Sequence, residues 1–219
     1  ILWSSDRSGA FEIWSAKGDG SGAHKLSDDG FDAENPTASQ GGEWIVYASA
    51  NPEKFGIWRV GEDGPSPELV VAGDYFNSEI SNDGRWAAVL TLEPHNLRNV
   101  LRVVEVETGR MVPLEIEVKS DRDRAVVPGR MRWVSNCALS KEPAIAFLGV
   151  DDEGRTGVFL QDFHPERDTG ATRRPLAGFH DELATESFDI SPDGTRITLS
   201  LVEITRKLML VEGVKGILK

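Results

Sequence analysis

The sequence predicts an all-β chain folded as a β-propeller of four-stranded antiparallel blades, about five of them, the first and last incomplete. Three observations carry this. The 22 Gly and 11 Pro are spread over all 219 residues. The stretches between them are short, alternating and rich in Val, Ile, Trp and Phe, the pattern of strands and turns. The apolar stretches Trp44 to Ser49, Val100 to Val106 and Arg196 to Leu201 run for six or seven residues, below the roughly 10 expected of a helix. The third observation is a repeat. Ser39-Gln-Gly-Gly-Glu-Trp44, Ser81-Asn-Asp-Gly-Arg-Trp86 and Ser191-Pro-Asp-Gly-Thr-Arg196 superpose as one turn followed by one apolar strand. The first two lie 42 residues apart, a blade-length period.

The elements follow in order, each unit reading as strands A to D with the Ser-x-x-Gly turn joining A to B. Unit one supplies B, C and D at 1–5, 11–16 and 23–26, with Phe11-Glu-Ile-Trp14 as its C strand. Unit two runs between about 36 and 72, and its Phe55-Gly-Ile-Trp58 repeats that landmark 44 residues later. Unit three runs between about 77 and 116. Unit four, about 130 to 177, carries a degenerate turn at Ser135-Asn-Cys137 and an insertion. Unit five shows A at 187–191, B at 196–201 and C at 207–211. The chain is thus one domain over 1–219, with blades at about 1–34, 35–76, 77–127, 128–186 and 187–219. The missing A of unit one and D of unit five leave open edges, which soluble proteins avoid. Self-association through those edges or a distorted small ring is the expectation. The start at Ile1-Leu-Trp3, without Met, reads as a piece of a longer protein.

Charge narrows the function. Lys and Arg total 24 against 36 Asp and Glu, a net charge of −12, which repels phosphate backbones and anionic headgroups. Nucleic-acid binding and membrane insertion are not expected. One cysteine, Cys137, allows no intrachain disulfide. The first twenty residues carry Asp6, Arg7, Glu12, Lys17 and Asp19 where a signal peptide has its apolar core. Location therefore depends on upstream sequence, with the bacterial cytoplasm and periplasm both open.

Phe188-Asp-Ile-Ser-Pro-Asp-Gly-Thr-Arg-Ile197, with Trp3-Ser-Ser-Asp-Arg-Ser-Gly9 leading into Ile13-Trp14 and the turn Gly18-Asp-Gly-Ser-Gly22 before His24-Lys-Leu-Ser27, resembles the repeat of TolB-like, WD-repeat-like propellers. The ending Lys207-Leu-Met-Leu-Val-Glu-Gly-Val214 is most similar to the end of propellers attached to bacterial Ser/Thr kinases. The resemblance implies a propeller usually of six blades. It covers proteins of several functions: TolB itself, the propellers of some proteases and kinase-attached modules.

The segments leading into the A strands form one mouth of the channel. They offer Asp32, Glu34 and Asn35 leading into the A strand of unit two, Tyr75, Asn77 and Glu79 at that of unit three, Arg130 and Arg132 at that of unit four, and His180, Glu182 and Glu186 leading into that of unit five. Carboxylates beside a His suit a divalent metal, and His180 is the candidate base or, with Glu182, metal ligand. The alternative is a solvated acidic loop surface. Arg130 and Arg132, two apart on one strand, point to one face and suit clamping a carboxylate or phosphate; pairing with acidic residues of neighbouring blades is the alternative. Gly18-x-Gly20-x-Gly22 joins strands, so it is a hairpin turn and not a phosphate cradle.

The function these residues predict is a non-catalytic binding module whose acidic mouth takes a protein or small cationic ligand. The alternative is a metal-dependent hydrolase of esters, lactones or phosphotriesters with its site in the central channel. A third reading is an architectural piece of a larger kinase or protease.

Overall fold

The computed structural model describes residues 1–28, 30–62, 64, 66–93, 98–119 and 130–203. They form five successive antiparallel sheets, each a simple meander. The first holds β1 (Leu2–Ser5), β2 (Glu12–Ser15) and β3 (His24–Lys25). The second holds β4 (Ala33–Ala38), β5 (Trp44–Ser49), β6 (Gly56–Gly61) and β7 (Glu68–Ala72). The third holds β8 (Tyr75–Ile80), β9 (Trp86–Leu92), β10 (Asn99–Glu105) and β11 (Met111–Val118). The fourth holds β12 (Met131–Val134), β13 (Ala144–Val150), β14 (Thr156–Asp162) and β15 (Arg174–Ala177), and the fifth β16 (Ala184–Ile190) and β17 (Ile197–Val202). The strand expected at 207–211, like the segment before Arg130, lies outside the described residues.

The repeated turn has a physical cause. In three sheets the serine hydroxyl that ends strand A accepts the amide that opens strand B: Trp44 to Ser39 at 3.1 Å, Trp86 to Ser81 at 2.9 Å and Arg196 to Ser191 at 3.0 Å. The glycine three residues on donates its amide to the serine carbonyl, and Gly42, Gly84 and Gly194 have φ of +74°, +73° and +69°. A side chain is disfavoured in that conformation. The degenerate fourth copy solves the same problem differently, with Asn136 at φ +48° and Cys137 donating its amide to the Ser140 carbonyl.

Alternation along the strands divides the core into four layers between sheets. On β5, Ile45 and Tyr47 face the first sheet while Val46 and Ala48 face the third. β9, in the middle of its sheet, is buried on both faces, whereas the outermost β11 alternates, burying Val112, Leu114, Ile116 and Val118 and exposing the residues between. The layer between the third and fourth sheets is aromatic, with Phe163 edge-on to Trp86 at 5.4 Å and to Trp133 at 5.0 Å.

The A strands begin two or three residues earlier than the sequence predicts in the second, third and fifth sheets. Each carries a bulge near its start, between Glu34 and Thr37, Tyr75 and Asn77, and Thr185 and Ser187. A bulge breaks the two-residue period, so alternation is readable only after it. Packing runs from each sheet to the next: β1 and β2 on β4, β4 to β6 on β8, β8 on β12, and β13 and β14 on β16. Among the described residues no strand of the fifth sheet makes more than marginal contact with the first.

Neighbouring sheets also approach through backbone. Gly109, at φ +70°, sits where an added Cβ would meet the Val70 carbonyl oxygen of the second sheet at 2.4 Å. Gly109→Ala should cost at least about 2 kcal/mol, from the left-handed conformation and the forced separation together. Equilibrium urea unfolding measures it, and an unchanged midpoint would show that the turn can move away.

Candidate functional site: the cleft at the A–B turns

A cleft of about 690 Å³ opens where strands β8, β12 and β16 end and their turns begin. Its floor is one ionic cluster. The Arg132 guanidinium donates from Nη1 to Glu79 Oε2 at 2.9 Å and from Nε to Asp189 Oδ1 at 2.9 Å, tying the third, fourth and fifth sheets together. Nη1 also donates to the Met131 carbonyl at 3.0 Å. The Trp133 indole N–H donates to the Glu79 carbonyl at 2.8 Å, fixing the backbone under the carboxylate. Gln40, Asn82, Asp83 and Asn136 form the rim, and the turns interlock, Gln40 donating its amide to the Asn82 carbonyl and Ala138 to that of Asp193.

The two carboxylates on Arg132 are held in different states. Burial pushes Glu79 up to about 7; Arg132 opposes the shift and the nearby Asp189 adds to it. Asp189 is more exposed. Burial raises it too, but hydrogen bonds from Arg132 and the Ile190 amide, with the Arg132 charge, hold it below the usual carboxylate range. The floor therefore carries a proton that leaves near neutral pH beside a carboxylate that stays ionised.

Of the residues singled out in the sequence, Glu79 and Arg132 line this cleft. Arg132 takes the pairing role. Arg130 is exposed just before β12 and acts on Glu79 and Asp189 through its charge. The others lie toward the opposite ends of the A strands, several residues away at about 3.3 Å per residue. There Asp32 Oδ1 accepts the Phe11 amide at 3.0 Å, joining the first two sheets. Asn35, at φ +56°, donates from Nδ2 to the Phe76 carbonyl at 3.0 Å, joining the second and third. Glu34 is exposed, Tyr75 packs into the layer between those sheets, Asn77 is half-buried opposite Leu90, and Glu186 accepts the Ser200 hydroxyl at 3.2 Å. His180 and Glu182 are both exposed. Among the described residues no group of three or more His, Cys, Asp or Glu side chains is placed to hold a metal.

Sequence reasoning passed over Asp189, and a signal for it existed. Glu79 and Asp189 stand two residues before Ser81 and Ser191, the same position of two repeats, where the second sheet has Thr37. That hydroxyl also bridges sheets, accepting the Ile80 amide at 3.1 Å.

No family model and no curated protein matches the sequence. Solved structures do match the fold. TolB from Acinetobacter baumannii superposes with a TM-score of 0.59 at 14% identity, over 90% of this chain and 45% of its own. An oligogalacturonate lyase from Vibrio parahaemolyticus gives 0.61 at 12%, over 93% of this chain and 55% of its own. An oligogalacturonate lyase in complex with manganese gives 0.60 at 11%, over 93% and 56%. The fold is that of TolB-like β-propellers, and the chain spans about half the length of these three structures. The likeness to kinase-attached propellers rests on the sequence resemblance alone.

Proposed function

We propose that the chain is a non-catalytic binding module that takes a basic segment of a partner protein in the cleft at the A–B turns. The observation that supports this is the composition of the cleft. Asp83 and Asp189, joined by Glu79 as its carboxyl ionises near pH 7, stand with the Arg132 guanidinium at the meeting of three sheets, with the Arg130 charge nearby. Such a surface favours cations and steers them from a distance. The Arg132 Nη2 edge makes no hydrogen bond to the described residues and suits an acceptor such as a partner backbone carbonyl. The rigid turns that carry these groups keep the ordering cost of binding low.

Titration with fluorescein-labelled hexalysine tests the reading. Saturable binding that weakens steadily with added salt is expected, and Asp189→Asn should weaken it by about twofold to fivefold, the range of a solvent-exposed charge pair. Absence of saturation at low salt, or equal affinity of wild type and Asp189→Asn, would overturn it.

A further inference from the structure

A second cleft, of about 570 Å³, lies between the first and second sheets and shares no residue with the first. Its wall is built from facing strands. Tyr47 and Trp58 are cross-strand partners on β5 and β6, and Leu26, at the end of β3, packs in the same core layer. Tyr47 and Leu26 are buried, while the Trp58 ring is half-exposed. The ring is held in place: its indole N–H donates to the Lys54 carbonyl at 3.0 Å, and the Lys54 ammonium lies 5.9 Å from the ring centroid.

The rim is charged but balanced. Lys25, which pairs with Asp28, and Lys54 stand against Asp28 and Glu53. In a protein of net charge −12, the described residues of this cleft carry two charges of each sign. Its wall holds the Trp58 ring with the exposed Lys54 ammonium over it, and its rim offers both donors and acceptors. A flat hydrocarbon ring would leave those rim groups unused, and a small ion would leave the aromatic wall unused. A ring with one apolar face and hydroxyls that both donate and accept uses all of it. The volume lies in the range of small-molecule sites, roughly 300–1,000 Å³.

We propose that this cleft binds a neutral carbohydrate, with a pyranose ring displacing the exposed Lys54 ammonium from the face of Trp58 and its hydroxyls on Glu53 and the displaced amine. The chain would then carry two binding sites, a cationic-segment site at the A–B turns and a saccharide site between the first two sheets.

Calorimetric titration with maltotriose, cellotriose and the N-acetylglucosamine trimer tests this, with the galacturonic acid trimer and indole-3-acetate as a charged sugar and a flat anion. At least one neutral trimer should bind saturably at millimolar concentration or below, moving a tryptophan indole N–H resonance in the nuclear magnetic resonance spectrum. Trp58→Ala should weaken that binding by at least about tenfold. If that variant does not fold, Lys54→Met and Glu53→Gln, on an exposed loop, should each weaken it about threefold. Hexalysine binding in the same samples should be unaffected by Lys54→Met, so the two sites fail separately. Failure of every neutral trimer to saturate, binding of the charged sugar or indole-3-acetate alone, or wild-type affinity in the variants would overturn the proposal.

Discussion

Phe147→Ala is expected to lower the free energy of unfolding by about 3–5 kcal/mol, the range for deleting a buried phenyl ring. Phe147 is 2% exposed in the middle of β13. It faces Met131 and Phe159 across both neighbouring strands, with the Phe159 ring 5.9 Å away, and the Arg173 guanidinium lies 5.5 Å from its centroid. The cavity cannot close cheaply, because β12 and β14 are pinned to β13 by their ladders and the layer beyond is filled by Trp86, Trp133 and Phe163. Phe55→Ala is the control. That ring is 38% exposed before β6, and its loss should cost less than about 1 kcal/mol. A urea midpoint for Phe147→Ala within error of Phe55→Ala would refute the assignment of this layer as the main core.

The second large effect is one of pH. Glu79 titrates at about 7 in the folded chain against 4.5 for an ordinary glutamate, so between those values the native state holds a proton that the unfolded chain has released. Stability from this group is therefore complete below about pH 4.5 and is lost as pH rises through 7. The loss amounts to about 3 kcal/mol. Glu79→Gln keeps a neutral group of the same shape beside Arg132 and removes the ionisation. It should be more stable than the parent at pH 8 and close to it at pH 4.5, and the difference between the two curves should bend between those values. A flat difference would mean that Arg132 compensates fully for burial. Arg132→Ala should destabilise by about 3 kcal/mol at pH 8, where it strands an ionised Glu79. The same change should cost less in the Glu79→Gln background, and the double-mutant cycle reads the coupling directly.

Much of the fold can be read along the chain because its causes are local. Ser81, Gly84 and Trp86 build their turn among themselves, as do Ser191, Gly194 and Arg196, so a repeat in sequence is a repeat in structure. The strands between turns show their faces by alternation, as on β11. The reading slipped where locality fails. Asn35 adopts a positive φ inside a bulge and donates to the carbonyl of Phe76, which lies 41 residues away. Nothing near Asn35 in sequence announces this.

The candidate site was less accessible for the same reason. Acidic residues cluster before the A strands in sequence, and they drew attention to that end, yet Asp32 and Asn35 there are engaged in joining sheets. The composition and repeats by themselves determine an acidic, all-β propeller with its turns, strand faces and apolar layers. Only the tertiary structure decides which charges meet. Arg132 finds Glu79 across 53 residues and Asp189 across 57, because the ends of three A strands converge. That convergence depends on how whole sheets pack against one another, and a pattern read over a few residues carries no record of it.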